Sequence, residues 1–249
     1  MPKVIAVAGK GGTGKTTFSA LIIKQLIAKK LVPILAVDAD PNTNLKDVLG
    51  VKVQETVGSV CEEVRTQDVF PGGMTKNDYL KYRVEEAVAE AADFDLLTMG
   101  RPEGPGCYCY ANNVLRAVMD ILIQNYKYIV MDNEAGFEHL SRKITRNIDI
   151  LFIVSDPSIR GIRTAGKIKD LVSELSISVK QTYLIVNRTR AGVDMLLPEI
   201  KRQNLHFLDS IPDDELIAEY DLEEKALLDL PCNAATIKAG NDIFRKLNL

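Results

Sequence analysis

The feature that most constrains this chain is the glycine-rich stretch GKGGTGKTT at residues 9–17, which directly follows an apolar run at residues 3–8. It fits the pattern G-x-x-x-x-G-K-[ST], which binds phosphate when a strand precedes it and a helix follows. Small residues let successive backbone N–H groups face phosphate oxygens, and the helix adds the positive end of its dipole. In such a loop Lys15 contacts the β- and γ-phosphates, while Thr16 offers its hydroxyl to Mg²⁺. We therefore predict a nucleoside triphosphate site at Gly11, Gly12, Thr13, Gly14, Lys15, Thr16 and Thr17.

The same glycines allow a second interpretation. Gly9, Gly11 and Gly14 also satisfy G-x-G-x-x-G, and acidic residues follow at Asp38 and Asp40. This spacing is typical of a dinucleotide-binding fold and would suit a hydride-transfer enzyme. The loop carries two lysines, however, and ends in Lys-Thr-Thr. Because these residues suit a triphosphate with magnesium better, we favour the first interpretation.

Short apolar runs alternate with longer amphipathic stretches along the whole chain. The runs are almost continuously hydrophobic, as expected for strands buried on both faces of a parallel sheet. We predict an α/β fold of the P-loop NTPase kind, with a mainly parallel sheet of about seven or eight strands, helices on both faces and a single domain over residues 1–249. The stretch 42–80 shows no regular pattern, so we assign no element to it. The predicted strands are 3–8, 33–38, 94–100, 127–132, 148–155, 181–187 and 205–210, and the predicted helices include 15–30, 80–92, 111–125, 159–175 and 233–247.

The composition is typical of a globular protein in a reducing compartment. The chain is 46% hydrophobic and 26% charged, with a formal net charge of -3. Because no basic surplus is present to neutralise a phosphate backbone, we expect no nucleic-acid partner. The first apolar run breaks into glycines and is too short for a signal peptide or a membrane span. We therefore expect a cytoplasmic protein without stable membrane association, whose four cysteines are free thiols or metal ligands.

Three carboxylates lie at the carboxyl ends of two predicted strands. Asp38 ends the run 33–38, and Asp40 lies two residues further on, so extended backbone would point both the same way. Asp132 ends the apolar run YIVMD. Ligands of open α/β sheets bind at this edge, and phosphoryl transfer needs an in-line water and charge compensation. We expect these carboxylates to serve the triphosphate and its Mg²⁺; an Asp-Pro turn is the alternative for Asp40.

Cys107 and Cys109 form a C-x-C pair in the stretch GPGCYCY, after glycines and prolines that exclude a helix. A closed thiolate site normally has four ligands, so one chain supplies half of it. Two such pairs on the axis of a two-fold dimer would complete the set. Structural thiols or a redox role are the alternatives. Cys61 and Cys232 lie in or beside predicted helices, and we expect both to be buried apolar groups.

Two histidines are further candidates for a metal ligand. His206 lies in the predicted strand 205–210, where a position in the core is the simpler interpretation. His139 follows the stretch DNEAG and is the better candidate of the two.

The loop KGGTGKTT resembles the deviant Walker A loop of the MinD-type ATPases, which include the nitrogenase iron protein, ParA-like partition ATPases and metallocluster-assembly ATPases. The resemblance implies ATP hydrolysis in a homodimer, in which Lys10 crosses the interface and contacts the nucleotide of the other subunit. It assigns Asp40 to orienting the attacking water and Asp38 to the surroundings of Mg²⁺. It also makes Asp132 the Walker B-like carboxylate.

Further positions match the family after this carboxylate. The stretch DNEAG resembles its second switch, in which Gly136 would sense the γ-phosphate through its backbone, although relatives often carry Thr-Pro where this chain has Asn-Glu. The stretches LIVNRTR and SIPDD resemble the segments that hold the adenine base. The resemblance therefore implies base-binding roles for Asn187, Pro212 and Asp213.

The stretch GRPEGPGC resembles the nitrogenase iron protein around its first cluster-binding cysteine. That protein has its second cysteine after the second switch, where this chain has NEAGFEHLSRK and no cysteine. The pair Cys107 and Cys109 instead resembles the CooC family of accessory ATPases for nickel insertion into carbon monoxide dehydrogenase. The resemblance implies an ATP-hydrolysing metallochaperone that holds Ni²⁺ or Zn²⁺ between two subunits, with carbon monoxide dehydrogenase as its client.

Two other functions fit the same loop. One is an electron carrier with a bridging iron–sulfur cluster, which the missing second-switch cysteine disfavours. The other is a positioning ATPase of the MinD or ParA kind, which would need a membrane-targeting tail or a basic face for DNA. The C-terminal stretch AATIKAGNDIFRKLNL is a possible short amphipathic helix, and we expect it to pack against the body of the protein.

Overall fold

A single sheet runs through the computed structural model, which describes residues 2–101, 122–134, 147–175 and 177–247. Its described strands are β1 (Lys3–Gly9), β2 (Ile34–Ala39), β3 (Ala89–Glu90), β4 (Asp95–Thr98), β5 (Tyr128–Asn133), β6 (Asn147–Ser155), β7 (Ser178–Thr189) and β8 (Phe207–Pro212). Their order across the sheet is β3–β4–β2–β5–β1–β6–β7–β8. Neighbouring strands run parallel except β3 and β4, which are antiparallel at one edge. The predicted mainly parallel α/β sheet is confirmed.

Helices cover both faces of this sheet. The described helices are α1 (Lys15–Ala28), α2 (Leu45–Leu49), α3 (Val57–Thr66), α4 (Lys76–Glu86), α5 (Ile159–Glu174), α6 (Leu197–Arg202), α7 (Glu215–Leu222) and α8 (Ala235–Lys246). Their apolar residues divide between two buried clusters, one on each face of the sheet. Leu26 of α1 and Phe244 of α8 belong to one cluster. Val64 of α3, Leu80 of α4 and Ile168 of α5 belong to the other.

Two parts of the chain differ from the sequence prediction. The helix predicted at 80–92 is α4, which starts and ends earlier, and the end of that stretch forms β3. Its Ala and Glu residues favour a helix, but pairing with β4 prevails at the sheet edge. The unassigned stretch 42–80 holds α2 and α3. Of the predicted helix 111–125, the structure describes only residues 122–125, and 123–125 form a 3₁₀ turn.

Two side chains expected in the core lie at the surface. His206 is exposed just before β8, with its ring 4.9 Å from the ring of Tyr183. Because β8 is the last described strand of the sheet, no further described strand covers this position. Cys232 is also exposed, in the turn before α8, whereas Cys61 on α3 is buried as predicted.

The end of β4 connects the carboxyl end of β2 with α3. Met99 N donates to Asp38 O over 2.8 Å, and Gly58 N in the first turn of α3 donates to Met99 O over 2.8 Å. Gly100 follows with a φ of +66°, and a Cβ there would lie 2.3 Å from Thr56 Oγ1. Glycine is required at this position, because the backbone conformation and the available space both disfavour a side chain.

The helix α8 packs its apolar face on the body of the protein, as expected. Ile243 and Phe244 are buried, at 0% and 1% exposure, in the cluster that includes α1. Gly240 lies so close to α1 that a Cβ would be 3.1 Å from the side chain of Leu21. Within the described chain, no helix has the length and hydrophobicity needed to cross a membrane.

We expect Gly100→Ala to destabilise the protein more than Gly72→Ala. Both glycines have a positive φ, so each substitution strains the backbone by roughly 1 kcal/mol. Only at Gly100 does the new methyl group collide with Thr56, which adds about 1–3 kcal/mol. Urea titration of both variants gives the free energies of unfolding that check this. Equal losses at the two positions would contradict the close approach of β4 to α3.

Candidate functional site

The glycine loop, residues 10–14 between β1 and α1, is closed by hydrogen bonds to one of its own carbonyl oxygens. Thr13 Oγ1 donates to Lys10 O over 2.9 Å, and Lys15 Nζ donates to the same oxygen over 3.3 Å. Gly12 and Gly14 adopt φ values of +79° and +86°, which glycine accepts without strain. The helix α1 begins at Lys15, so the loop leads directly to the N-terminus of a 14-residue helix.

Two residues near the end of β7 contact the glycine loop from the side. Asn187 is 5% exposed, and its Nδ2 donates to Thr13 O over 2.8 Å. Arg188 has a left-handed φ of +59°, and its guanidinium donates to Gly12 O over 3.3 Å. At Gly14 a Cβ would lie only 2.3 Å from Asn187 Nδ2. The carboxyl end of β7 therefore helps to position the loop.

Asp38 and Asp132 lie side by side at the carboxyl ends of β2 and β5. The two residues pair in register, and they are 0% and 1% exposed. Asp38 accepts hydrogen bonds from Asp40 N over 3.2 Å and from Leu45 N over 3.0 Å. Asp132 accepts one from Ser19 Oγ over 3.1 Å, which joins α1 to β5. Two carboxyl groups are thus buried at the point where the loop enters its helix.

Burial makes both carboxyl groups difficult to ionise. It raises the pKa of Asp38 to about 7, and the charge of the neighbouring Asp132 adds to the shift. Burial also raises the pKa of Asp132 to about 6. Hydrogen bonds from Thr16 and Ser19 and the nearby charge of Lys15 oppose that second pKa shift. The site therefore favours a cation or a proton beside these carboxyl groups.

The ammonium group of Lys15 is close enough to three carboxylates for their charges to act on it. Burial lowers the pKa of its ammonium, and the charges of Asp132, Asp40 and Glu134 act in the opposite direction. Asp40 itself follows β2 and is half-buried. Lys15 thus lies among three carboxylates at the start of α1, where its charge can meet phosphate oxygens.

The side-chain oxygens of Thr16 and Asp132, beside the loop, are suitable ligands for Mg²⁺. A hydrogen bond joins the hydroxyl of Thr16 to the carboxylate of Asp132. Mg²⁺ prefers oxygen ligands, and in nucleotide sites it takes one or two from the protein and the rest from phosphates and water. The hydroxyl of Thr16 and the carboxylate of Asp132 therefore suit an Mg²⁺ ion that is bound together with a nucleotide.

A cleft of about 1250 Å³ begins beside the glycine loop at Thr17 and continues between α2 and α7. Asn187 and Pro212 line it where β7 and β8 end. Asp213 lines it as well, but its carboxylate forms an ion pair with Arg190 over 2.7 Å. The cleft is large enough for a nucleotide, and the ends of β7 and β8 border one side of it.

The residues that were predicted to bind the nucleotide, and that the structure describes, lie together at one edge of the sheet. The parallel strands have their carboxyl ends at this edge. Lys10 is exposed at the start of the loop. The predictions for Gly136, Cys107, Cys109 and His139 lie outside the described residues. Within the ranges that the structure describes, no group of three or more His, Cys, Asp or Glu is arranged to hold a metal ion.

Three residues at the site, Ser19, Asn133 and Arg188, were not predicted from the sequence. Ser19 lies three residues after Thr16 on α1, a helical spacing that indicates a shared face. Asn133 Nδ2 donates to Val7 O over 2.9 Å and so fastens the end of β5 to β1. No sequence signal marks Arg188, because its contact with the loop depends on a left-handed backbone near the end of β7.

The chain matches a nucleotide-binding family in sequence. The profile of the CobQ/CobB/MinD/ParA nucleotide binding domain matches residues 4–228. An ATP-binding protein of Methanocaldococcus jannaschii is 44% identical over 248 residues, which cover 98% of each chain. The carbon monoxide dehydrogenase accessory protein CooC of Rhodospirillum rubrum is 29% identical over 238 residues, 91% of this chain and 89% of that protein.

Solved structures similar to this one include two ATPases. The cell division ATPase MinD of Pyrococcus furiosus has a TM-score of 0.74 and 22% identity, covering 100% of this chain and 99% of that one. A ParA family ATPase from Chlorobium tepidum has a TM-score of 0.73 and 21% identity, covering 100% of both chains. At these identities the likeness concerns the fold.

We expect Asp38→Asn to stabilise the protein at pH 8 and to have little effect at pH 4. Asp38 has a pKa of about 7 in the folded protein, whereas an aspartate in the unfolded chain ionises at about pH 4. The free energy of unfolding therefore falls as the pH rises from about 4, and the whole loss is present above pH 7. Asparagine removes the charge, so we expect a gain of about 1–3 kcal/mol at pH 8. Free energies of unfolding measured without nucleotide at both pH values check this. A gain of equal size at pH 4 would show that the charge of Asp38 is not its cause.

Proposed function

The chain belongs to the CobQ/CobB/MinD/ParA family of nucleotide-binding proteins and is an ATPase, and from this premise we propose that it acts as a metallochaperone. It would bind Ni²⁺ or Zn²⁺ as cargo at Cys107 and Cys109 and use ATP hydrolysis to assist nickel insertion into carbon monoxide dehydrogenase. The observation that carries this proposal is the C-x-C pair in a chain that is similar, over 91% of its length, to the accessory protein CooC.

In the proposed reaction, Lys15 neutralises the β- and γ-phosphates of ATP from the start of α1. Its burial among carboxylates restrains the ammonium, so little reorganisation is needed when phosphate arrives. Asp40 is close enough to Lys15 to influence its pKa, and it would orient the attacking water in line with the γ-phosphate. Thr16 and Asp132 would hold Mg²⁺, which supplies charge compensation for the phosphates when bound.

Asn187 offers a physical reason for the choice of adenine. Its Nδ2 donates one of its two N–H groups to Thr13 O, which fixes the side-chain amide and leaves Oδ1 as its acceptor for a ligand in the cleft. An oxygen acceptor pairs with the 6-amino group of adenine, whereas guanine presents a second acceptor, its O6. With Oδ1 towards the 6-position of the base, Asn187 would pair with adenine and would leave guanine O6 facing a second acceptor, which would disfavour GTP. Pro212 and Asp213 would border the base from the other side of the cleft.

We further propose that two copies of the chain share the metal. One C-x-C pair supplies two thiolates, and a two-fold interface brings the second pair to complete four. Lys10 is exposed beside the nucleotide site, where a second copy would meet it. Ile159 and Met195 follow β6 and β7 at the same edge and are 38% and 86% exposed. These apolar side chains support an interface at this edge of the sheet.

Nucleotide and metal would act on the same equilibrium between separate and paired subunits. A ligand shifts such an equilibrium only by its difference in affinity for the two states. ATP would favour the pair through Lys10, and the metal would favour it through the thiolates. Hydrolysis would then remove one of the two contributions and allow the cargo to leave.

A positioning ATPase is the second candidate, favoured by the fold likeness to MinD and ParA proteins. A membrane-bound protein of that kind needs an apolar surface for the lipid. In this chain α8 buries Ile243 and Phe244 against the body, so this helix does not present them to a membrane. The net charge of -3 also disfavours DNA. We therefore rank the metallochaperone first.

Asp40→Asn should slow ATP hydrolysis by about 100-fold or more and leave ADP affinity within about threefold. The amide keeps the size of the side chain but accepts a proton from water much less well. Phosphate release and calorimetric titration with ADP measure the two effects, and GTP serves as the nucleotide that we expect to be a poor substrate.

Asp170→Asn is a matched control, because Asp170 is exposed on α5, away from the glycine loop. This control should hydrolyse ATP at the rate of the unmodified protein. If Asp40→Asn were fully active, the proposed role of Asp40 would be wrong. Parallel losses of hydrolysis and ADP binding would instead assign Asp40 to holding the nucleotide.

Replacing both Cys107 and Cys109 with serine should abolish stoichiometric binding of Ni²⁺ or Zn²⁺ and leave ADP binding intact. Serine preserves the size of each side chain but removes the thiolate. Elemental analysis after dialysis and sedimentation with and without ATP measure metal content and subunit pairing. Cys232→Ser is the matched control, since Cys232 is an exposed thiol elsewhere in the chain.

Metal retained by the double variant would rule out the shared thiolate site, and so would an equal loss in the Cys232 control. A brown protein that contains iron and sulfide would favour the electron carrier instead. A monomer under every condition, with metal and ATP present, would contradict the shared dimer.

A further inference from the structure

A groove of about 650 Å³ opens between α3, α4 and the turn that joins them. It has no lining residue in common with the cleft beside the glycine loop. We refer to six of its lining residues as the α3–α4 surface: Glu63, Met74, Tyr79, Tyr82, Arg83 and Glu86.

Arg83 organises the charges of this surface. Its guanidinium forms ion pairs with three carboxylates, each at 2.8 Å. Tyr79 Oη also donates to one of them over 3.2 Å, and Tyr82 Oη donates to another. One guanidinium among three carboxylates leaves a negative surplus that is held in place by these hydrogen bonds. The three carboxylates are those of Glu55, Glu63 and Glu86.

Apolar side chains are exposed beside these charges. Met74 is 44% exposed, Tyr82 is 46% exposed and Val69, in the turn before the groove, is 79% exposed. Aromatic and Met side chains are enriched in protein interfaces. Polar groups that are already fixed in position lose less entropy when a partner binds. The surface therefore has both an apolar part and a preorganised acidic part.

Charge decides which occupant fits. The segment 55–86 has seven acidic residues and four Lys or Arg residues. Its net charge is therefore -3, the same as that of the whole chain. The same surface of a second copy would be repelled, and so would a nucleic acid or an anionic membrane. A protein segment that carries Lys or Arg beside an apolar side chain complements both parts of the surface.

The surface adjoins the place where the cysteine-bearing segment begins. Glu55, which is paired with Arg83, directly precedes Thr56, and a Cβ on Gly100 would collide with the Thr56 side chain. Arg101 follows and leads to residues 102–121, which contain the C-x-C pair. A protein bound at this surface would therefore lie next to the start of the segment that carries the proposed metal ligands.

We propose that the α3–α4 surface docks the client enzyme through a basic segment of the client that also presents an apolar side chain. The proposal rests on the metallochaperone function and names the surface and the chemistry by which the client is held. Binding weakens as the ionic strength rises, because salt screens the attraction between exposed charges.

The test compares two double variants that each remove one negative charge and one apolar side chain. Met74→Ser with Glu86→Gln alters the α3–α4 surface. Leu222→Ser with Asp242→Asn is the matched control, since Leu222 is 85% exposed and Asp242 forms an exposed ion pair on α8. Binding to purified nickel-free carbon monoxide dehydrogenase is measured by surface plasmon resonance. ATP hydrolysis without the client should be unchanged in both, which shows that they are folded.

We expect the surface variant to bind the client about tenfold or more weakly, and the control to bind within about twofold of the unmodified protein. Equal binding by all three proteins, or equal weakening in both variants, would overturn the docking surface and leave the metallochaperone function standing. If the unmodified protein does not bind the client, the client assignment fails and the docking proposal fails with it. If the surface variant alone changes the mass of the isolated protein in solution, the occupant is a second copy and the proposal is wrong.

Discussion

Two buried carboxyl groups, Asp38 and Asp132, impose the constraint on which the nucleotide site depends. They lie side by side on neighbouring strands, burial opposes the ionisation of both, and the charge of Asp132 further opposes that of Asp38. The compensating groups, Lys15, Thr16 and Ser19, all come from the first turns of α1. The helix, the loop before it and the two strands must therefore be placed together. An ionised pair is stable here only beside cations, which suits a site for magnesium and a phosphate-binding lysine.

The same carboxyl end of β2 reaches a second part of the molecule through hydrogen bonds. The backbone of Asp38 accepts from Met99, and Met99 accepts from the first turn of α3. The next residue, Gly100, has no room for a side chain because Thr56 lies against it. A movement of this end of β2 must therefore be accommodated by α3. This contact joins the nucleotide site to the α3–α4 surface by two backbone hydrogen bonds.

The parts of the fold that sequence patterns predicted are those with a strong local signal. Nearly continuous apolar runs identified the long parallel strands, because such strands are buried on both faces. The two-residue β3 and the short helices α6 and α7 had no comparable signal, and pairing at the sheet edge overrode the helix propensity of residues 89 and 90. The exposure of His206 and Cys232 also depends on which segments cover them, which periodicity does not reveal.

Local sequence patterns specify the phosphate-type loop, the helix that follows it and the mainly parallel sheet, because each is encoded by residues close together in the chain. The tertiary structure alone decided that Asp38 and Asp132 are buried side by side and that Asn187 holds the loop through Thr13. It also decided that Asp213 is paired with Arg190. These contacts depend on strand register and on packing between segments far apart in sequence, and local composition does not specify either.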